Sequence, residues 1–213
     1  LVGRSDWVTR PGGGVLGGPG VARADFVHLT LHSQAGDFIG QGKDFDITYT
    51  SPGDTISVQI RRSLSDGSPA ELLFVLDKPS TPANEFALLF FGTDKLGIPI
   101  QPGTYTGAER ADFASAGHPG LDVAFQNRGS NTLTGSFTIL DATFGKDSAG
   151  KPILLSFDAT FEQHSEGAKP ALFGEIQFNQ PASVAPEPAS WLLLASGSLG
   201  LLTCRRRKGT AVR

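Results

Sequence analysis

The chain has 213 residues and a net charge of −3, with 39% hydrophobic and only 18% charged residues. That length suits one domain of about 150 residues plus end segments. The one dense basic cluster lies at the far end, so a nucleic-acid partner is excluded for want of a stripe to neutralise phosphates. With 27 Gly, 14 Pro and 15 Phe against a single Cys, the composition fits an all-β domain rich in turns and built without disulfides.

Residues 1–24 read as an incomplete export signal or linker. Ala22-Arg23-Ala24 fits a signal-peptidase site, although Val15-Leu16 is barely an apolar core. The chain contains no Met, which makes a truncated or non-standard start the expectation. Gly12, Gly14 and Gly17 have the spacing of a dinucleotide-binding turn. Pro11 before them and Gly18-Pro19-Gly20 after them leave neither the strand nor the helix that such a site needs.

Strand signals then recur to residue 179. Val27, Leu29 and Leu31 alternate with polar neighbours, and Phe45, Ile47 and Tyr49 do the same. Ser51-Pro52-Gly53-Asp54 is a strong turn before Ile56, Val58 and Ile60, so 44–61 reads as a hairpin. Leu72–Leu76 and Phe86–Phe91 are continuous apolar runs of the kind central strands show. Short strands follow around Tyr105, over Leu121–Phe125 and from Leu133 to Ile139. Ile153, Leu155, Phe157, Ala159 and Phe161 alternate cleanly, and Leu172, Phe173, Ile176 and Phe178 close the set. Nine or ten strands without helical periodicity predict an antiparallel β-sandwich, with a barrel as the second choice.

The chain ends differently. Gln180–Ala185 is a spacer rich in Pro, Ala and Ser, and Pro186-Glu187-Pro188 follows it. An uncharged run from Trp191 to Cys204 then stops at Arg205, Arg206, Arg207 and Lys208. The run is about 14 residues, roughly 21 Å as a helix against a hydrocarbon core of roughly 30 Å. By length alone it suits a core helix equally well. The four cations at its end favour the bilayer, with snorkelling and local thinning covering the mismatch. Basic residues stay on the cytoplasmic side, which puts everything before Trp191 outside. This ordered set closely resembles the PEP-CTERM protein-sorting signal of Gram-negative bacteria. The resemblance implies an exported protein held briefly in the inner membrane through 190–204 and processed by an exosortase, often beside exopolysaccharide production. The expected organisation is a residual signal over 1–24, a β-sandwich over 25–179 and a linker with the tripeptide over 180–189. A transmembrane sorting helix with its basic stop takes 190–208, and a cytoplasmic tail 209–213.

Three further blocks resemble a family of small exported bacterial β-domains: Gly36–Gly42, Gly129–Phe137, and Phe161–Gly167 with Pro170-Ala171-Leu172. In that family the positions of Ser130 and Ser165 are cysteine. The resemblance therefore implies that these two serines lie close together, with a hydrogen bond in place of a bridge. The family brings no activity with it.

Chemistry-bearing residues are sparse. There is no G-x-S-x-G, and the lone Cys204 lies in the tail. His28 and His32 share a strand face about 13 Å apart, too far for one metal, and read as solvent-facing polar positions. His118 sits in a Gly-Pro loop without a local partner. Glu162, His164 and Glu166 alternate at a strand end and form the best candidate for a metal or ligand, against the plainer reading of a solvated strand end. Asp44, Asp46, Asp122, Asp141 and Asp158 lie on or near strands. Carboxylates from different strands can meet as a glycosidase pair, and Asp44 with Asp46 can contribute to a calcium site, without the spacing of any known calcium loop. The ordinary role of such charges is to keep an edge from pairing. Trp7 and Trp191 fall outside the domain and most Phe fall on core positions, so a sugar platform lacks its usual stacking residues. The expectation is a non-catalytic, cofactor-free domain at the cell surface or in the extracellular matrix. The alternative is a calcium- or glycan-binding module, with a polysaccharide hydrolase behind it.

Overall fold

The structure, a computed structural model, describes residues 25–80 and 85–179. The expected signal remnant over 1–24, the linker, the PEP tripeptide, the membrane helix and the basic stop lie outside the described residues. Ten strands are present: β1 (Phe26–Ser33), β2 (Asp44–Thr50), β3 (Thr55–Ser63), β4 (Pro69–Asp77), β5 (Ala87–Gly92), β6 (Gly103–Arg110), β7 (Gly120–Phe125), β8 (Leu133–Lys146), β9 (Pro152–Ser165) and β10 (Ala171–Phe178). Among the described residues the only helical pieces are two three-residue turns, Asp94–Leu96 and Ala111–Phe113.

The fold is all-β, as the turn-rich, alternating sequence predicts. The strands form one sheet in the order β2-β1-β10-β9-β8-β6-β7-β5-β4-β3. Every pairing is antiparallel except a short parallel contact of β6 with β7, where Glu109 faces Gly120 and Arg110 faces Leu121. The sheet folds over so that its two halves face each other, which brings it close to a closed barrel. Phe74 on β4 lies 5.3 Å from Phe157 on β9 and 6.1 Å from Phe178 on β10. Phe91 on β5 lies 5.4 Å from Phe137 on β8. These rings, with Leu29, Leu72, Leu89 and Val123, are fully buried, and each such side chain contributes about 1.5–3 kcal/mol through removal from water.

The expected hairpin over 44–61 is not one. Its two strands and their turn are where the pattern puts them, but β2 ladders with β1 and β3 with β4. They are the two ends of the sheet, brought together by the turn between them. Local turn chemistry reads alike in both cases; the partner is set by β1 and β4.

The alternation in β9 also breaks. Phe157, Ala159 and Phe161 face the core, but Ile153 and Leu155 are exposed. Thr143 pairs with Ser156 and Phe144 with Leu154, so Leu155 is an extra residue bulged from its strand. A bulge reverses which side chains point inward, and Leu154 packs on the core instead. Leu140 is the matching bulge on β8, between the pairs Ile139–Ala159 and Asp141–Asp158, and it too is exposed.

Candidate functional site

The site is built on the outer face of five adjoining strands, β2-β1-β10-β9-β8. Because neighbouring strands are in register, their outward residues line up across the sheet. One row runs Asp46, Thr30, Glu175, Thr160, Thr138 and on to Thr104 of β6. The next runs Asp44, His32, Phe173, Glu162, Ser136 and Thr106. Between the two rows the face forms an open groove of about 630 Å³. The strands alternate, so one polar residue in two points outward, and the inward set (Leu31, Gly174, Phe161, Phe137) belongs to the core side.

Histidines hold three of the carboxylates. His28 Nε2 is 2.7 Å from Asp46 Oδ1, His32 Nδ1 is 2.6 Å from Asp44 Oδ1, and His164 Nε2 is 2.9 Å from Glu162 Oε1. Gln177 Nε2 donates to Glu175 Oε1 at 2.6 Å. Phe173 lies on this outer face, not in the core where its place among Leu172, Ile176 and Phe178 predicts it. Its ring stacks on His32 with centroids 6.3 Å apart and planes at 30°. The sequence signal that locates it is its offset by one from the inward residues Leu172 and Gly174, a two-residue period read on the other face.

The predicted trio Glu162, His164 and Glu166 is not brought together. Glu162 and His164 do meet, but Nδ1 of the same imidazole faces the Lys169 carbonyl at 2.9 Å, so both ring nitrogens are engaged. Glu166 turns away at a positive φ of 55°. Its carboxylate accepts from the Asn131 amide and the Thr132 hydroxyl, and these bonds, the Asn131 amide first, hold it below the usual carboxylate range. It closes a turn. Among the described residues no three His, Cys, Asp or Glu side chains gather as a metal site.

The remaining aspartates are dispersed. Asp122, on the far half of the sheet, accepts from Arg110 Nε at 3.0 Å, and burial pushes its carboxyl up against the pull of that arginine. Asp141 and Asp158 are direct cross-strand partners. Asp141 is held by the hydroxyls of Ser156 at 2.6 Å and Thr143 at 3.1 Å. Burial first, then the nearby charges of Glu175 and Asp141, raise the pKa of Asp158. His118 Nδ1 lies 2.9 Å from the Gly107 carbonyl, a loop contact.

The three blocks that suggested a family of exported β-domains converge at one end of the sheet. Ser130 Oγ donates to Ser165 Oγ at 2.8 Å, and both residues are buried, which is the juxtaposition the resemblance implies. Gln34 accepts from the Ala171 amide, and Asp37, buried in the β1–β2 connection, accepts from Ser33 Oγ and the Gly40 amide. A side chain at Gly40 would meet Ser33 Cβ at 2.4 Å. This end is a structural clasp.

The described part of the molecule is thus an all-β domain on a single, nearly closed sheet with a polar outer groove. Beyond it, residues 184–208 match the family model of the PEP-CTERM protein-sorting motif. The chain is therefore an exported protein directed to exosortase-linked sorting through a C-terminal segment tethered in the membrane. No curated protein and no solved structure matches the chain.

Proposed function

We propose that this protein is a non-catalytic β-domain delivered through the envelope by its tail and working at the cell surface or in the extracellular matrix. The observation that carries the reading is the sorting motif over 184–208 directly following the described domain. In support, the histidines of the domain are each committed to a carboxylate or a carbonyl. Among the described residues the directly opposed pair of aspartates, Asp141 and Asp158, lies off the groove, with Asp141 already held by two hydroxyls. The exosortase is the partner at the membrane, and the domain needs no cofactor.

The test is fractionation of the native host with and without its sorting peptidase, following the size and place of this chain. The expected outcome is a shorter chain at the surface or in the medium only when the peptidase is present. Full-length chain retained in the inner membrane in both strains overturns the sorting role and leaves a plain anchor.

A further inference from the structure

The sorting role makes no use of the outer groove across β2-β1-β10-β9-β8. We propose that the groove binds a linear polysaccharide bearing free amino groups, such as a de-N-acetylated hexosamine polymer. The proposal rests on the domain lying outside the cell, where such a polymer is met.

Charge selects the ligand first. Asp44, Asp46, Glu162 and Glu175 line the groove together with His32, and among the described residues no lysine or arginine does. Each of these carboxylates is bonded through one oxygen to a histidine or to Gln177, and among the described residues its second oxygen has no hydrogen bond. The bonded neighbours fix the carboxylates in place, which lowers the entropy lost when a ligand ammonium docks. A uronate polymer meets four carboxylates here with no lysine or arginine to offset them.

Hydroxyls select a polyol. Thr160 on β9 stands beside Thr138 on β8, Ser136 lies two residues before Thr138 on the same face, and Thr30 on β1 lies across Glu175 from Thr160. A hydroxyl both donates and accepts, the same double capacity that sugar hydroxyls have, whereas the cations of a basic peptide need acceptors alone. Phe173 lies between His32 and Glu162 in the acidic row, and it provides an apolar surface for the C–H face of a sugar ring. The floor strands β1, β10, β9 and β8 are paired on both sides, so an extended peptide lying along the groove finds backbone to ladder with only at the β2 margin.

The test is calorimetric titration of the purified full chain in detergent with four probes of equal length: a glucosamine oligomer, an N-acetylglucosamine oligomer, a glucuronate oligomer and oligolysine. The glucosamine oligomer is expected to bind, the acetylated one at least about tenfold more weakly, and the glucuronate not at all. Binding weakens with added salt, because exposed charges are screened. E175Q and E162Q, close to isosteric and outward-facing, each weaken binding about tenfold, the loss of one charge-assisted hydrogen bond. F173A weakens it by a similar factor, with circular dichroism checking that the fold is intact. The proposal is overturned if oligolysine binds as tightly as the glucosamine oligomer, if no sugar binds, or if E175Q and E162Q bind like the parent. Because the titration uses purified protein, its failure leaves the export reading standing. Failure of the host fractionation leaves the binding result intact.

Discussion

Gln163 on β9 and Val123 on β7 exchange two hydrogen bonds although their strands are not neighbours. The Gln163 Nε2 donates to the Val123 carbonyl at 3.0 Å and its Oε1 accepts from the Val123 amide at 2.8 Å. The cause lies in the topology: β6 meets β7 over only two residue pairs, which leaves the middle of β7 with an unladdered edge inside the core. A carboxamide supplies one donor and one acceptor in the spacing of a peptide group, so a side chain stands in for the missing strand. Gly135, opposite Gln163 on β8, has no room for a side chain, since a Cβ there would lie 2.2 Å from the Glu162 carbonyl oxygen. Gln163→Leu leaves a buried N–H and a buried C=O unpaired and is expected to cost about 2–4 kcal/mol. Urea melts read this as a fall in midpoint at unchanged slope. A loss below about 1 kcal/mol would show that the two bonds are dispensable.

The buried Ser130–Ser165 bond makes a second expectation concrete. Replacing both residues, S130C with S165C, places two thiols where two hydroxyls already touch, linking the end of β9 to the β7–β8 connection. The pair should oxidise without a catalyst and raise stability by about 2–4 kcal/mol relative to its own reduced form. Mass spectrometry under oxidising and reducing conditions counts the thiols, and melts in the two states give the gain. Two free thiols after air oxidation contradict the geometry.

Particular residues show how far the chain can be read without its structure. Alternation and turns locate all ten strands, because burial on one face imposes a period of two on nearly every segment. Bulges defeat the same logic: nothing local marks Leu140 or Leu155 as the extra residue, since both are apolar and sit in apolar–polar patterns. Gln163 continues the inward period of Phe157, Ala159 and Phe161, but nothing local accounts for a polar residue there, because the backbone it bonds lies 40 positions away. Asp44-Phe45-Asp46 and Glu162-Gln163-His164 each stand out alone in the sequence. Their meeting on one face depends on β1 and β10, from opposite ends of the domain, sliding between β2 and β9. Glu166 breaks ranks with its two-residue neighbours because a turn, with its positive φ, begins there.

Arg62 is the counter-ion of a carboxylate with no access to water. Glu71 is fully buried, and Arg62 Nη1 donates to its Oε2 at 2.8 Å and to Asp94 Oδ2 at 3.2 Å. Burial raises the Glu71 pKa, Arg62 and Arg61 pull it down, and Asp94 and Asp112 push it up. Arg62→Ala strands the buried charge and should cost on the order of 3 kcal/mol at pH 8. Removing the guanidinium lifts the folded pKa of Glu71 further above its unfolded value. Stability held by the protonated form is complete below the unfolded value and is lost as pH rises through the folded one. The deficit of the variant should therefore shrink towards pH 5. Adding Glu71→Leu to the variant should restore most of the loss at pH 8, since the fully buried charge is then gone and Asp94 keeps Lys95 at 3.7 Å. A deficit independent of pH, with no rescue, would assign the cost to lost packing of the arginine stem.

Asp158 offers the same test with a smaller amplitude and without a counter-ion. It stands directly across from Asp141, its Oδ1 is buried without a hydrogen bond, and its pKa is raised by burial, then by Glu175 and Asp141. A raised folded pKa means that the fold favours the protonated acid, so its contribution is full below the unfolded value near 3.9 and declines as pH rises through the folded value. Asp158→Asn cannot ionise and removes a like-charge pair. The variant should be more stable than the parent by about 0.5–1 kcal/mol at pH 7, with the difference closing as pH falls towards about 3.5. Paired thermal melts across that range measure the difference directly. A gap that stays constant or widens in acid would mean that Asp158 is better placed as a carboxylate than its surroundings indicate.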